Sequence, residues 1–108
     1  MSEINVMQDN GNAIFLIQEI IDETALKIIL STIDDAKTTL QICYENKLPL
    51  SSTYKKIRKL QNHKLISIEK INIDSKGKKV IFYRSTIKSI EFNLKKDGLL
   101  LQFNKNHH

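Results

Sequence analysis

Leu48-Pro49-Leu50-Ser51-Ser52-Thr53-Tyr54-Lys55-Lys56-Ile57-Arg58-Lys59-Leu60-Gln61-Asn62 is the stretch in which a helix signal and a concentration of positive charge coincide. Pro49 suits a helix start or its immediate flank, where its fixed φ and missing N–H cost little, and Ser51 and Ser52 carry hydroxyls that can serve the first-turn amides. The helix is expected to run to about Asn62. Ile57 and Leu60, extended by Thr53 or Tyr54, share one face, while Ser51, Ser52, Lys55, Lys56 and Lys59 cover much of the remainder. One side can seat in a core and the other can meet a polyanion, the layout that suits entry into a DNA major groove.

Upstream, Thr38-Thr39-Leu40-Gln41 has the form of a capping box, opening a helix through Ile42, Cys43 and Tyr44 that stops around Asn46-Lys47. With the turn Asn46-Lys47-Leu48, this helix and the next make a helix-turn-helix. Further back, Asp22 can cap a helix over residues 23–33, with Leu26, Ile29, Leu30 and Ile33 recurring at three- and four-residue spacing, and Asp34-Asp35 marks a turn after it. Ala13 to Ile21 is almost wholly apolar and reads as a short helix with Ile17, Ile20 and Ile21 inward, with a strand as the alternative on β-branched propensity. Residues 1–11 read as a mobile lead-in.

Downstream of His63-Lys64 the period falls to two. Ile66 and Ile68, then after a two-residue break Ile71 and Ile73, take apolar positions; Asp74-Ser75-Lys76-Gly77-Lys78 is a turn, and residues 79–85 form a second β-rich run. The hairpin has a basic tip, Lys76, Lys78 and Lys79, supported by Lys70 and Arg84, suited to phosphate or the minor groove. Residues 89–103 read as a second hairpin turning at Lys95-Lys96-Asp97-Gly98, which extends the sheet or pairs across a dimer, and residues 104–108 as a frayed tail.

Composition sets outer bounds. The chain has 108 residues, enough for one modest core, and no apolar run approaching the roughly 18 residues of a membrane span. The first ten residues lack a basic segment followed by an apolar one, so a cytoplasmic location is expected. Cys43 alone makes neither an intrachain disulfide nor a metal cluster and reads as a small buried residue; His107-His108 lacks an anchored third ligand. Residues 1–46 hold eight acids and two bases, residues 47–88 two acids and twelve bases, so nearly all of the net charge of +5 comes from the middle. Such a polarised chain steers toward nucleic acid, an anionic surface or an acidic protein. Neither a phosphate-binding glycine loop nor a local catalytic spacing around His63 or Cys43 is present, so no enzyme, cofactor or metal site is expected.

The order helix, helix-turn-helix, basic hairpin is that of an α+β winged helix-turn-helix, over residues 12–88, with an additional C-terminal β-hairpin. Over roughly residues 22–88 the sequence also resembles winged-helix regulators of the ArsR-like superfamily found widely in archaea. The resemblance lies in Asp22-Glu23-Thr24, in Leu48 to Tyr54 leading into repeated basic residues, in Leu60 followed by Leu65-Ile66, and in Gly77-Lys78 leading to Tyr83-Arg84-Ser85-Thr86. It implies a transcriptional regulator, often a homodimer, with a sequence-reading helix at about 50–62 and a phosphate-contacting wing at 70–84. Lys47 and Lys64 depart from it by standing where members commonly have Gly, and the cysteine pairs of the metal-sensing branch are absent. The expected partner is double-stranded DNA, through Ser51, Ser52, Lys55, Lys56, Lys59, Lys76, Lys78, Lys79 and Arg84, with residues 13–21 and 89–103 as the expected dimer contacts. The alternative is a protein-interaction module that docks on an acidic partner in a transcription or chromatin assembly.

Overall fold

The computed structural model describes residues 4–7 and 10–107 and is α+β, with four helices and two antiparallel hairpins among those residues. Helix α1 (Asn10–Phe15) runs directly into a π-helical turn, Leu16–Ile20, closed by an amide bond of 2.7 Å from Ile21 N to the Leu16 carbonyl. The wider turn keeps Leu16, Ile20 and Ile21 all buried, so the long apolar run resolves as helix rather than strand. Asp22 then caps α2 (Glu23–Ser31): its Oδ1 accepts the Ala25 amide at 2.9 Å. The buried row of α2 is Ala25, Ile28, Ile29 and Thr32 beyond its end, so the helix is rotated from the expected packing and leaves Leu26 and Leu30 facing out.

Helix α3 (Thr39–Asn46) opens on the expected capping box, with Gln41 N donating to Thr38 Oγ1 at 3.1 Å and Thr38 N to Gln41 Oε1 at 2.8 Å. Lys47 ends it in the left-handed region, φ 55, and both its amide and that of Leu48 donate to the Cys43 carbonyl. Helix α4 (Leu50–Asn62) ends in the same way: Lys64, φ 60, donates to the Gln61 carbonyl and Leu65 to the Leu60 carbonyl. Lysine thus stands at both helix ends in the conformation glycine adopts most cheaply.

Strands β1 (Ile4–Met7), β4 (Ile87–Lys95) and β5 (Gly98–Lys105) form one antiparallel sheet in the order β1-β5-β4, and β2 (Ile66–Ile73) with β3 (Lys79–Ser85) forms a separate hairpin. The reading of residues 1–11 as a mobile lead-in is corrected for Ile4–Met7, which pair with Leu101 to Asn104, and for residues 10 and 11, which open α1; residues 1–3, 8 and 9 lie outside the described residues. The frayed tail is corrected too, with only residue 108 outside the described residues. β5 extends to Lys105, and the Asn106 side chain donates to the Ile33 carbonyl at 2.8 Å and the Ser85 carbonyl at 3.1 Å. A β-bulge between Ile68 and Lys70 accounts for the break in apolar alternation. The extra residue restores phase: Ile66, Ile68, Ile71 and Ile73 lie opposite Ser85, Tyr83, Ile81 and Lys79, all on one face of the hairpin.

Lys37 adds a bridge to this hairpin, exchanging amide bonds with Tyr83 at 2.9 and 2.8 Å, so the segment between α2 and α3 is tied to β3. One apolar core joins the helices to both sheets, with Leu16, Ile28, Ile42, Ile57, Leu60, Ile66 and Leu101 fully buried. No helix among the described residues is long and apolar enough to cross a membrane.

Candidate nucleic-acid interface

Helix α4 is held at its start by Pro49 rather than by the two serines. Pro49 occupies the cap position with φ −65 and ψ 140, no side chain caps the helix, and the Pro49 carbonyl accepts the Thr53 amide at 3.2 Å and the Thr53 hydroxyl at 2.6 Å. Ser52 Oγ donates weakly to the same carbonyl at 3.4 Å, and Ser51 and Ser52 are exposed. The expectation that they serve the first-turn amides is therefore not met, and both hydroxyls are left on the surface. Cys43 is buried nearby, its Sγ 3.9 Å from the Pro49 carbonyl.

The seated row of α4 is Thr53, Lys56, Ile57 and Leu60. At 3.6 residues per turn the opposite row is Ser51, Lys55, Arg58 and Asn62, with Ser52 and Lys59 on one flank and Tyr54 on the other. All seven are exposed. Arg58, absent from the residues singled out by sequence, belongs at the centre of this row; its signal was its place three residues after Lys55 and seven after Ser51.

Lys56 moves the other way and leaves the candidate surface. Only 9 % exposed, it reaches Asp22 Oδ2 at 2.7 Å and the Ile20 carbonyl at 3.3 Å, pinning α4 to the junction between the π-helical turn and α2. Burial alone raises the Asp22 carboxyl, but the hydrogen bond from Lys56, the Ala25 amide and the Lys56 charge outweigh it and hold the group below its ordinary value.

The hairpin supplies the second part. Asp74 Oδ1 accepts the amides of Lys76 at 2.8 Å and Lys78 at 2.9 Å, and Gly77 takes φ 81, which shapes the turn and leaves Lys76, Lys78 and Lys79 exposed. Arg84, expected to contact phosphate, is turned inward: Nε donates to the Ile33 carbonyl at 3.2 Å and Nη1 pairs with Glu69 at 3.1 Å. Lys70 stacks over the Phe82 ring, 4.5 Å from its centroid. The two acids of residues 47–88 are thus both engaged within the hairpin, Glu69 by Arg84 and Asp74 by its own turn.

A groove separates α4 from the hairpin, lined by Thr38, Thr39 and Leu40 at the start of α3, Tyr54, Lys78, Lys79, Ile81 and Tyr83. Burial pushes the Tyr83 hydroxyl up, Tyr54 adds to the shift, and the Arg58 charge opposes it. The structure thus brings seven of the nine expected residues to the surface, Ser51, Ser52, Lys55 and Lys59 on α4 and Lys76, Lys78 and Lys79 on the turn. Lys56 and Arg84 are spent inside the fold. His63 is exposed, its ring 6.0 Å from that of Phe15. Among the described residues no three His, Cys, Asp or Glu side chains are grouped to hold a metal ion. No family model, curated protein or solved structure matches the chain.

Proposed function

We propose that the chain is a double-stranded DNA-binding transcriptional regulator of winged helix-turn-helix form, with α4 in the major groove and the β2–β3 hairpin as the wing on phosphate or in the minor groove. The observation that carries this reading is the outward row of α4, Ser51, Lys55, Arg58 and Asn62, standing on a firmly seated helix beside a turn with three exposed lysines. The element order supports it, as does the Lys37–Tyr83 bridge, which ties the segment before the helix-turn-helix to the wing. In this reading Lys55 and Arg58 neutralise phosphates or donate to guanine O6 and N7, and Ser51, Ser52 and Asn62 hydrogen-bond to base edges or backbone. Lys59 and the turn lysines add phosphate contacts, and no bond is made or broken.

The test is fluorescence anisotropy of labelled duplex DNA titrated at several salt concentrations. Six exposed cations, Lys55, Arg58, Lys59, Lys76, Lys78 and Lys79, allow a slope of log K against log salt as steep as about −5. Absent or salt-insensitive binding by the folded protein overturns the reading. One observation favours the protein-interaction alternative: Leu40 and Tyr44, one turn apart on α3, are 64 % and 87 % exposed. Charge reversal at Lys55 and Lys59, with DNA affinity and affinity for an acidic transcription or chromatin partner measured separately, distinguishes the two.

A further inference from the structure

The β2–β3 hairpin carries an apolar stripe that phosphate contact by its lysines does not require. Ile66, Ile68, Ile71 and Ile73 follow one another on one face of β2, and their exposure climbs toward the turn, from 2 % at Ile66 through 41 % and 49 % to 63 % at Ile73. A ribbon facing only water on that side would carry polar residues there. The cross-strand neighbours Tyr83 and Ile81 pack into the core, which leaves the isoleucines of β2 in single file. Strand pairing continues to Ile73 opposite Lys79, and the turn beyond is closed by the Asp74 amide on the Lys78 carbonyl at 2.9 Å and by the two amides on the Asp74 carboxylate. Ile73 is therefore the last side chain of a paired ribbon and not part of a loose loop. Exposed cations surround it: Lys79 directly across on the same face, Lys76 and Lys78 on the turn, and Lys70 on the other face.

We propose that Ile73 is an apolar wedge that enters the DNA minor groove, parts two stacked base pairs and bends the duplex, with Ile71 behind it against the sugars. The proposal rests on the DNA-binding function above and goes beyond it, since phosphate contact uses the lysines alone. The shape of the face selects this occupant. A single file of apolar side chains among cations matches a channel about 6 Å wide with a floor of base edges and a phosphate row along each side. A bilayer surface engages a broad apolar face, whereas this one is a single strand wide. The reach also suffices: from buried Ile66 to Ile73 the strand spans about 23 Å at roughly 3.3 Å per residue, more than the half turn of about 17 Å between neighbouring major and minor grooves. Unstacking costs least at flexible pyrimidine–purine steps, so the wing selects a TA or CA/TG step without reading its base edges.

The test uses a duplex selected by the protein from random sequence, labelled at both ends for energy transfer and carrying 2-aminopurine at each pyrimidine–purine step in turn. Wild-type binding is expected to raise end-to-end transfer, and to raise 2-aminopurine fluorescence at one such step. Ile73→Ser should abolish both signals with affinity kept within about tenfold, because the apolar contact and the cost of unstacking are lost together. Ile73→Met should retain both signals. Unchanged far-ultraviolet circular dichroism is expected of each variant, since Ile73 is exposed. Replacing the step by an A-tract should weaken the wild type about tenfold and leave Ile73→Ser unaffected. Steeply salt-dependent wild-type binding with neither signal overturns the wedge and leaves the DNA reading standing, as do signals that survive Ile73→Ser or a loss of affinity far beyond tenfold in that variant. A folded wild type that binds no duplex overturns both readings, and binding to phosphatidylserine vesicles that Ile73→Ser abolishes would then assign the stripe to a lipid surface.

Discussion

Replacing Lys47 and Lys64 by glycine should stabilise the protein, because both lysines are held at positive φ, 55 and 60, where a Cβ crowds the following carbonyl. Such a conformation costs a non-glycine residue roughly 1–2 kcal/mol, and glycine gives back roughly 0.5–1 kcal/mol through the greater freedom of the unfolded chain. The net gain at each site is about 0.5–1 kcal/mol. The two positions lie beyond opposite ends of the 13-residue α4, about 20 Å apart at 1.5 Å per residue, so their effects should add to about 1–2 kcal/mol. Urea denaturation followed by circular dichroism should show a higher midpoint at unchanged m, with melting raised by about 4–8 °C per kcal/mol. Because each change also removes a positive charge from a chain of net charge +5, Lys47→Ala and Lys64→Ala are the controls. Alanine loses the charge and keeps the strain. If alanine stabilises as much as glycine, or if glycine fails to stabilise, the backbone argument is refuted.

Lys55→Glu and Arg58→Glu should each weaken duplex binding at least tenfold while leaving the melting temperature within a few degrees, as anisotropy and thermal denaturation would show. Lys56→Met should do the reverse, keeping binding at a temperature where the variant is folded but lowering stability by about 1–2 kcal/mol through loss of the Asp22 pair; selective loss of binding without loss of stability would return Lys56 to the DNA face. Neutralising Lys76, Lys78 and Lys79 together should reduce the salt slope by up to about three and leave the preferred base sequence unchanged, measured by anisotropy and by selection from random duplexes. Since the Asp22 carboxyl is held below its ordinary value in the fold, its contribution to stability is present above the unfolded pKa of about 4 and is lost as pH falls through the lower folded value. Asp22→Asn should therefore flatten the acid limb of the stability profile in urea titrations from pH 6 to 3; an unchanged limb refutes the linkage.

Most of what could be read in the sequence was local. The Thr38–Gln41 capping box, the Asp22 cap, the span of α4 to Asn62 and the two hairpin turns follow from contacts among residues within about one turn of one another, which spacing reveals directly. Even the break between Ile68 and Ile71 carried its meaning, a bulge that keeps the isoleucines on one face. What escaped was set by distant partners. Lys56 looks like any other lysine in a basic run until Asp22 and the Ile20 carbonyl arrive from more than thirty residues away. Arg84 is drawn inward by Ile33, β1 is ordered by β5 at the far end of the chain, and the rotation of α2 depends on the sheets it meets. Arg58 was a different kind of miss: its helical row was computable, but counting charges without placing them on the row passed over it.

The Lys56–Asp22 pair bears on how such a protein can be re-engineered or diverge. Under the DNA-binding function proposed above, α4 is the segment to exchange, its outward row rewritten or the whole helix transplanted to change the target sequence. Here α4 carries on its inner side a cation whose counter-charge is also the cap of α2 and whose second acceptor is the carbonyl of Ile20, the last residue of the π-helical turn. A graft of residues 50–62 without Asp22 leaves an inward ammonium with no carboxylate, and a replacement helix lacking Lys56 leaves that carboxylate without its cation. Ser51, Lys55, Arg58 and Asn62 can be varied independently of the scaffold, whereas Lys56 and Asp22 have to be exchanged as a unit.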